Sequence, residues 1–395
     1  MTAEVFPLDH TGRSLLKDAA ELQSLGPAVR VELPGGVIAW SVTRYELLKQ
    51  LSDDGRLSRD AQQHWPGLPD VPEGWPLAPF LISPTVLNAY GSDRRRLREI
   101  MEGAFTPERL ETLREHLGRR VPLHLGSLGA PGSLVDIRAK YAQVIASDTL
   151  CDLFGVPEAE RSEATDAMWN LLSPAEGADQ ANAQLESAMG YLAKLLSGKK
   201  NAPGEDMATT LAQADMTDEE RVLALAVTIA GGVPATTELI TNAVYNMLRN
   251  PEQLAAVKSG ETTWSAVVEE TLRFDAPVQH MPLRYAVEDI DLGEGTVIRQ
   301  GDPVIMGFGA GGRDPKVHGS AADVFDVHRV NKEHVAFGHG VHHCIGASLG
   351  RIEASVALQA LFSYFPYIKL AQSPSDLQPL PTFIFNGKAE LPVRL

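Results

Sequence analysis

Phe337-Gly338-His339-Gly340-Val341-His342-His343-Cys344-Ile345-Gly346 places one cysteine in a segment that is unusually rich in glycine. A cysteine thiolate is a strong metal ligand. Because Gly338, Gly340 and Gly346 lack side chains, the backbone around Cys344 can lie close against a flat and bulky group. The segment is therefore typical of a loop that wraps under a haem.

A zinc site is the competing interpretation, since His339, His342, His343 and Cys344 are all potential ligands. Structural zinc sites usually take their four ligands from two separated pairs of residues. The sequence has no second Cys/His pair at such a spacing. A buried cysteine that only packs would not account for the surrounding glycines, although it does describe Cys151, which lies in an apolar helical run.

The ten residues also match the signature F-G-x-G-x-H-x-C-x-G at all six fixed positions, so the sequence resembles the cytochrome P450 family. The resemblance implies a mainly α-helical fold with small β-sheets, an α+β class in which a long distal helix and the cysteine loop enclose haem b. It implies that Cys344 is the axial ligand of the iron. It also implies that Phe337, Gly338 and Gly346 contact the haem.

Basic residues match the positions at which the family binds the haem propionates. Arg94 and Arg98 lie four residues apart, on one face of a predicted helix where the family carries His-x-x-x-Arg. Arg94 replaces that histidine with a permanently charged group that still donates to a carboxylate. By the same resemblance, Arg284 and His342 bind the propionates. Without the resemblance, a solvated basic face would be the simpler interpretation of Arg94 and Arg98.

A long helix is predicted to begin after Thr217, which forms a capping-box pattern with Glu220, and to end before Asn250. Its middle reads A-G-G-V-P-A-T-T-E over residues 230–238. Each glycine costs a helix roughly 1 kcal/mol and a proline about 3 kcal/mol, so we expect a distortion or groove there. The resemblance implies that the oxygen side of the haem is lined by Gly231, Gly232, Pro234, Ala235, Thr236 and Thr237.

The family's usual distal pattern is small-Gly-x-acid-Thr, in which the acid and the alcohol guide protons to oxygen. Counting from Gly231-Gly232 puts Pro234 at the acid position and Ala235 at the alcohol position. Counting back from Thr236-Thr237 puts Ala235 and Thr236 there instead. Neither register supplies a carboxylate, and Glu238 lies too far along the helix. We expect protons to arrive through ordered water or the substrate, or the reaction to differ from ordinary hydroxylation.

Other segments give expectations for the pocket. A hairpin is predicted over residues 28–42, and a second one over 382–391 with a type I′ turn at Asn386-Gly387. In the resembling family such a C-terminal hairpin reaches the substrate. The long irregular stretch 59–93 is predicted to be a lid over an apolar ligand, because it carries large apolar residues. These include Trp65, Pro66, Trp75, Pro76, Phe80, Leu81 and Ile82.

The E-x-x-R pattern of Glu270 and Arg273, with Arg329 further on, matches a buried ion-pair group of the family. A plain surface ion pair would be the simpler interpretation of this common pattern. Its order relative to the cysteine loop favours the buried group, which needs further partners to offset its desolvation.

Composition excludes several classes of protein. The net charge is 35 − 51 = −16, which argues against non-specific binding to nucleic acid or anionic lipid. Two cysteines give no disulfide framework, and the sequence shows no signal pattern, no run of eighteen apolar residues and no linker. We expect a single domain over residues 1–395 in the cytoplasm, without a membrane anchor.

The resemblance thus implies a haem-thiolate monooxygenase that oxidises a small apolar or mixed-polarity molecule of secondary metabolism with O2. The resemblance implies a ferredoxin-type electron donor, and the local basic cluster suggests docking near Arg95 and Arg96. A haem-based gas sensor is an alternative, although an apolar lid and a distal groove argue against it. Oxidative coupling, rearrangement, dehydration or peroxide-driven oxidation also stays open, because the distal acid is missing.

Overall fold

The computed structural model describes residues 5–72, 75, 77, 78, 81 and 83–395. The described helices are α1 (Leu15–Leu25), α2 (Tyr45–Asp53), α3 (Ala61–His64), α4 (Gly91–Glu102), α5 (Pro107–Ser127), α6 (Gln143–Phe154), α7 (Arg161–Leu172), α8 (Ala178–Asn201), α9 (Met207–Gln213), α10 (Asp218–Arg249), α11 (Pro251–Ser259), α12 (Trp264–Phe274), α13 (Phe308–Gly311), α14 (Pro315–His318) and α15 (Ala347–Tyr364). The described strands are β1 (Phe6–Pro7), β2 (Val29–Leu33), β3 (Val37–Val42), β4 (Leu57–Ser58), β5 (Leu134–Asp136), β6 (Met281–Ala286), β7 (Ile290–Asp291), β8 (Val297–Ile298), β9 (Pro303–Met306), β10 (Lys369–Leu370) and β11 (Pro392–Arg394).

The largest sheet has six strands in the order β1-β2-β3-β9-β6-β4. The predicted first hairpin is confirmed, because β2 and β3 pair antiparallel with Val29 opposite Ser41. Strand β6 pairs antiparallel with β9 and carries Arg284. Smaller sheets contain β10-β11-β5 and β7-β8. The predicted class, mainly α with small sheets, is confirmed.

Helix α10 has the bounds that the sequence predicts. The Thr217 hydroxyl accepts from the Glu220 N–H at 3.1 Å, and the Glu220 carboxylate accepts from the Thr217 N–H at 2.8 Å. These two bonds are the predicted capping box. The helix is continuous from Asp218 to Arg249, so the glycines and Pro234 are accommodated without ending it.

The two halves of α10 are buried in different hydrophobic clusters. Leu225 and Ile229 belong to a cluster with α6 to α9, whereas Ile240 and Val244 belong to a cluster with α5, α12 and α15. In the described part of the chain, α10 is also the one helix whose length and composition could span a membrane. Half of its most apolar stretch is buried inside the protein, so packing in the core accounts for the apolar residues of this helix.

The described residues of the stretch 59–93 lie in two places, because the earlier ones pack on the sheet and Val86 and Leu87 line the cavity described below. The lid prediction is wrong only for the residues that pack on the sheet. Trp65, Trp75 and Leu81 are buried in a cluster with strands of the six-stranded sheet. The Trp65 ring stacks on Tyr285 of β6 with 5.3 Å between centroids. Apolar burial against the sheet therefore explains these large side chains. Three of the residues named for the lid lie outside the described part of the chain, namely Pro76, Phe80 and Ile82.

The C-terminal hairpin prediction is wrong in its turn. An antiparallel bridge pairs Pro379 with Lys388, so the chain does turn back on itself here, but through a wider loop in which Phe385 lies opposite Val278. The Asn386 N–H donates to the Pro277 carbonyl at 2.8 Å, and the Asn386 carbonyl accepts from the Asn242 amide at 2.9 Å. Gly387 has no positive φ, which a type I′ turn requires. Bonds to distant segments thus override the local Asn-Gly preference.

The E-x-x-R group forms a fully buried ion pair, as predicted. Arg273 donates to both carboxylate oxygens of Glu270, at 2.7 and 2.8 Å, and both side chains are fully buried. Further donation from Arg273 to the carbonyls of Gly312, Ala322 and Val324 satisfies the guanidinium. Because every polar group has a partner, the desolvation of the pair is offset.

Candidate active site

A cavity separates the cysteine loop, residues 337–346, from the middle of α10. Cys344 lines one side of this cavity, and Thr236 lines the other side. Contributions from α4, α6, β6 and α15 complete its walls. The structure therefore brings together segments that lie more than one hundred residues apart in the chain.

Backbone hydrogen bonds fix the cysteine loop. The Cys344 N–H donates to the Phe337 carbonyl at 2.8 Å, which closes the loop on itself. Gly340 has a φ of +64°, and a Cβ there would lie 1.8 Å from a carboxylate oxygen of Asp53. This glycine is thus required by the packing of the loop against α2. Burial raises the pKa of the Cys344 thiol, so a metal cation would be needed to hold it as a thiolate.

Phe337 is held from the side of the loop by a charged group of three residues. The Arg351 guanidinium lies over the Phe337 ring, 4.6 Å from its centroid. Glu269 bonds to Arg351 at 2.6 Å and to His334 at 3.1 Å. Burial would raise the pKa of Glu269, but the hydrogen bonds from His334 and Arg351 outweigh it and lower that pKa to about 2. The ring is therefore fixed beneath the cavity.

The predicted propionate-binding residues all line one edge of the cavity. Arg94 donates to the Val341 carbonyl at 2.9 Å, and Arg98 donates to the His343 carbonyl at 2.6 Å. These bonds tie α4 to the cysteine loop. Arg284 is buried and donates to the carbonyls of residues 51 and 52, while its Nε has no partner. Each side chain thus keeps donors for a further acceptor.

Arg59 lines the same edge, and sequence reasoning missed it. Its side chain is buried and donates to the Pro282 carbonyl at 2.9 Å, but its Nε has no partner. In the described part of the chain, no carboxylate forms an ion pair with Arg59 or Arg284. A single arginine after a short strand gives no signal in the sequence, so only the fold could have identified Arg59.

This basic edge has the electrostatics of a site for an anionic group. Burial lowers the pKa of Arg59 to about 10 and that of Arg284 to about 9, values that still leave both cationic. Burial and the neighbouring arginines lower the pKa of His342 to about 2, so its ring is neutral. Buried cations without a counter-ion are costly. A ligand that places two carboxylates at this edge would remove that cost.

On the opposite side, α10 presents small residues to the cavity. Gly231, Gly232 and Ala235 all line it, and we call these three residues the distal trough. A Cβ added to Gly231 would meet no atom within 4 Å, so the trough is open there. Pro234 and Thr237 point away from the cavity, since helical periodicity places them on another face. Of the six predicted distal residues, four therefore line the site.

Thr236 contacts a carboxyl group that the sequence analysis did not identify. Its hydroxyl and Glu353 Oε2 lie 3.2 Å apart, and Glu353 is on α15. Glu353 is buried, and it also lines the cavity. Burial raises the pKa of Glu353 to about 8. A charged residue within the apolar run of α15 was the available signal for it.

Glu238 does not line the cavity. This agrees with the sequence analysis, in which Glu238 lies too far along the helix to serve as the distal acid. It is fully buried and pairs with Arg138 at 2.8 Å between Oε1 and Nη2. Its other oxygen, Oε2, has no partner. Burial raises the pKa of Glu238 to about 7.

The cytochrome P450 family model matches residues 263–387 of the chain. The sequence is 35% identical to 2-hydroxy-5-methyl-1-naphthoate 7-hydroxylase of Streptomyces carzinostaticus, over 99% of this chain and 97% of that relative. It is 32% identical to the cytochrome P450 monooxygenase PikC of Streptomyces venezuelae, over 95% of this chain and 89% of that relative. This chain belongs to the cytochrome P450 family. The P450 is therefore an enzyme of the monooxygenase type, related to bacterial P450s of secondary metabolism.

Solved P450 structures have the same fold. CYP154A1 from Streptomyces coelicolor A3(2) matches with a TM-score of 0.90 and 37% identity, over 99% of this chain and all of that one. Testosterone-bound CYP154C4 from Streptomyces sp. ATCC 11861 matches with a TM-score of 0.92 and 34% identity, over 99% of this chain and 98% of that one. The predicted P450 fold is thus confirmed.

The cavity of this P450 fits the family's haem. Cys344 would hold the iron, and the unbonded donors of the basic edge would bind the propionates. When bound, a haem with a thiolate ligand supplies the activation of O2. The residues that would hold the propionates are Arg59, Arg94, Arg98, Arg284 and His342.

Proposed function

We propose that this P450 hydroxylates a neutral and mostly apolar molecule with fused rings, using haem b, O2 and electrons from a ferredoxin-type protein. The distal trough is the observation that carries the proposal. Two glycines and an alanine allow a flat molecule to lie directly on the backbone of α10, where longer side chains would hold it away. A substrate in this position would lie between α10 and the haem that Cys344 would hold.

The rest of the lining favours a neutral substrate. The arginines of the cavity all lie at the basic edge, where the propionates would occupy them. Away from that edge, the walls are formed mainly by aliphatic side chains, including Val86, Leu150 and Val278. The Thr228 hydroxyl donates to the Ala224 carbonyl at 2.7 Å, which leaves its oxygen free to accept one hydrogen bond from a substrate.

The relatives support a substrate with fused rings. One is named for hydroxylating a naphthoate, and CYP154C4 was solved with testosterone bound. Of these two compounds, testosterone is the neutral one. We therefore choose testosterone as the probe, and hexadecanoate as a charged and flexible comparison.

Titration of the haem spectrum tests this proposal. Testosterone is expected to shift the spectrum toward the form in which substrate has displaced water, and hexadecanoate is not. Turnover under 18O2 with an added ferredoxin and its reductase should then give a labelled hydroxylated product. Tighter binding of hexadecanoate than of testosterone would overturn the proposed substrate class.

Non-hydroxylating chemistry is the second candidate, and the missing acid at Ala235 favours it. Oxidative coupling, rearrangement or dehydration would leave the product without label from 18O2. Peroxide-driven oxidation would proceed without an electron donor. The same labelled turnover therefore separates these reactions from hydroxylation.

The electron donor is proposed to dock beside the cysteine loop, which α4 flanks. Arg95 is exposed on α4. Arg96 is engaged with Glu220 at 2.5 Å and with the Asp215 carbonyl at 3.1 Å, so it is less suited to docking than the sequence suggested. An acidic ferredoxin would meet positive charge here. We propose a cytoplasmic location, where such a donor would be available.

A further inference from the structure

We propose that Glu238 is a positioning residue for the substrate. It acts through the C-terminal loop, residues 385–388, which sets the place of Pro277 and Val278 in the cavity wall. This inference rests on the proposed function, because it assumes that a substrate contacts this wall.

Pro277 and Val278 are held from behind by the C-terminal loop. Both residues line the cavity, and they lie outside the regular strands. The Asn386 N–H donates to the Pro277 carbonyl at 2.8 Å, and Phe385 pairs with Val278 in an isolated antiparallel bridge. Because no regular strand supports this part of the wall, its position depends on the loop.

Helix α10 contacts the C-terminal loop at two successive turns. The Asn242 amide donates to the Asn386 carbonyl at 2.9 Å. One turn earlier, the Glu238 carboxyl group lies against Gly387, where a Cβ would come within 2.0 Å of Oε2. The carboxyl group therefore determines how closely the loop approaches α10.

The two oxygens of Glu238 have different surroundings. Arg138 contacts Oε1 through Nε at 2.9 Å and through Nη2 at 2.8 Å. Oε2 faces Gly387 and has no hydrogen-bond partner among the described residues, although Glu238 is fully buried. The oxygen without a partner is thus the one that touches the loop.

The charge of this carboxyl group also acts on the loop. In the described part of the chain, the charged groups with the largest influence on Glu238 are Arg138, Lys388 and Asp136. Lys388 belongs to the loop, and its Nζ lies 5.0 Å from the centroid of the Tyr245 ring on α10. An ionised Glu238 attracts Lys388 and draws the loop toward α10, whereas a protonated Glu238 does not.

Both protonation states of Glu238 are present at neutral pH. Burial raises its pKa from 4.5 to about 7, although Arg138 and Lys388 oppose the rise. Below this pKa the carboxyl group is neutral, and its attraction to Lys388 is lost. Above it the ionised group holds the loop, and the loop holds the wall. We therefore expect the wall to be more firmly placed at pH 8 than at pH 6.

Linkage gives this coupling a second consequence. If ionisation of Glu238 tightens substrate binding, substrate binding must raise the acid dissociation constant of Glu238 by the same factor. Couplings between two sites are typically about fivefold or more. Infrared spectra at pH 7 should show a protonated carboxyl band that weakens when testosterone binds and is absent in Glu238→Gln. A band that testosterone leaves unchanged, although it binds, would contradict the coupling.

Spectral titration with testosterone compares the unchanged protein with Glu238→Gln, both haem-loaded, at pH 6 and pH 8. Glutamine has nearly the size of glutamate but stays neutral, so it reproduces the protonated state. The ratio of the two affinities should be close to one at pH 6 and roughly fivefold at pH 8. Taking the ratio at each pH cancels the titration of other groups, such as Glu353. The same ratio at both pH values would overturn the inference.

Lys388→Met tests the attraction without altering a buried charge. At pH 8 its affinity for testosterone should fall toward that of Glu238→Gln, and at pH 6 it should match the unchanged protein. Lys369→Met is the matched control, because Lys369 is exposed on β10. If the two lysine variants bind equally well at pH 8, Lys388 does not couple Glu238 to the loop.

Amide hydrogen exchange tests the inference without a substrate. At pH 8 the Asn386 N–H, which bonds to Pro277, should exchange roughly fivefold more slowly in the unchanged protein than in Glu238→Gln. At pH 6 the two rates should be equal. If testosterone does not bind, the proposed substrate class fails, and this comparison still decides the role of Glu238. Equal exchange at pH 8 would show that Glu238 does not hold the loop.

Discussion

Arg59 and Arg284 meet at the basic edge from two segments that lie more than two hundred residues apart. Both are buried, and both keep an Nε without a partner. Because a buried cation without a counter-ion is costly, we propose that the haem propionates stabilise both arginines and are held by them. Haem retention should therefore be sensitive to each arginine separately.

Replacing Arg59 by Met should accelerate loss of haem. A hydrogen bond to a charged group is worth about 1.5–3 kcal/mol, so we expect the rate of haem transfer to apomyoglobin to rise roughly tenfold or more. Arg30→Met serves as the control, because Arg30 is exposed on β2. Equal transfer rates for both variants would show that Arg59 does not hold the haem.

Gly231→Val should narrow the distal trough without disturbing the core. Because a Cβ at this position meets only open space, the variant should fold and bind haem normally. Its binding of testosterone should weaken by about 1–3 kcal/mol through overpacking. Gly190→Val controls for helix propensity, since Gly190 is exposed on α8. A spectral titration that gives the same affinity for Gly231→Val and the unchanged protein would contradict the trough.

At the scale of elements, α10 shows which features a sequence specifies by itself. Its start depends on Thr217 and Glu220, three residues apart, so the local pattern was sufficient to predict it. The turn at Asn386-Gly387 was mispredicted because its bonds go to Pro277 and Asn242. Cys344 could likewise be identified from a local pattern of ten consecutive residues. Arg59 and Glu353 could not, because they reach the cavity only through contacts between distant segments.

Pro234→Ala should stabilise α10. Pro234 has no N–H, so the carbonyl four residues earlier lacks its helical partner, and a proline inside a helix costs about 3 kcal/mol relative to alanine. We expect the urea midpoint of unfolding, followed by circular dichroism, to rise. Thr217→Ala should lower it, since losing the cap costs about 1 kcal/mol. A lower midpoint for Pro234→Ala would mean that packing of the proline ring outweighs the missing bond.

At the scale of the whole molecule, buried acids link stability to pH. The pKa of Glu353 rises from 4.5 to about 8 on folding, so the folded state binds more protons than the unfolded state between these values. Its contribution to stability is therefore present below pH 4.5 and is lost as the pH rises toward 8. In the unchanged protein, the free energy of unfolding should fall by up to about 1.4 kcal/mol for each pH unit in that window, and Glu353→Gln should remove this fall.

Denaturant unfolding at pH 5 and pH 8 measures the effect. The advantage of Glu353→Gln over the unchanged protein should be larger at pH 8 than at pH 5. A difference between the two proteins that does not depend on pH would show that Glu353 titrates normally in the folded state.

Docking of the electron donor is also a property of the whole surface. Arg95→Glu should slow reduction by an acidic ferredoxin and weaken its dependence on salt, because steering by opposite charge is lost. Arg30→Glu changes the charge by the same amount on β2 and should have less effect. Stopped-flow reduction at several salt concentrations measures both, and equal rates would place the docking face elsewhere.

Because its two halves are buried in two separate hydrophobic clusters, α10 is fixed in position at both ends. The helix cannot bend away from a thick ligand unless one of these two hydrophobic clusters is disrupted. New substrates must then be accommodated by changes in side-chain volume along α10 or at the cavity-lining residues Val86 and Leu87. In laboratory evolution of this enzyme, substitutions that broaden what it accepts should consequently accumulate at those positions, and few should accumulate at the anchored ends.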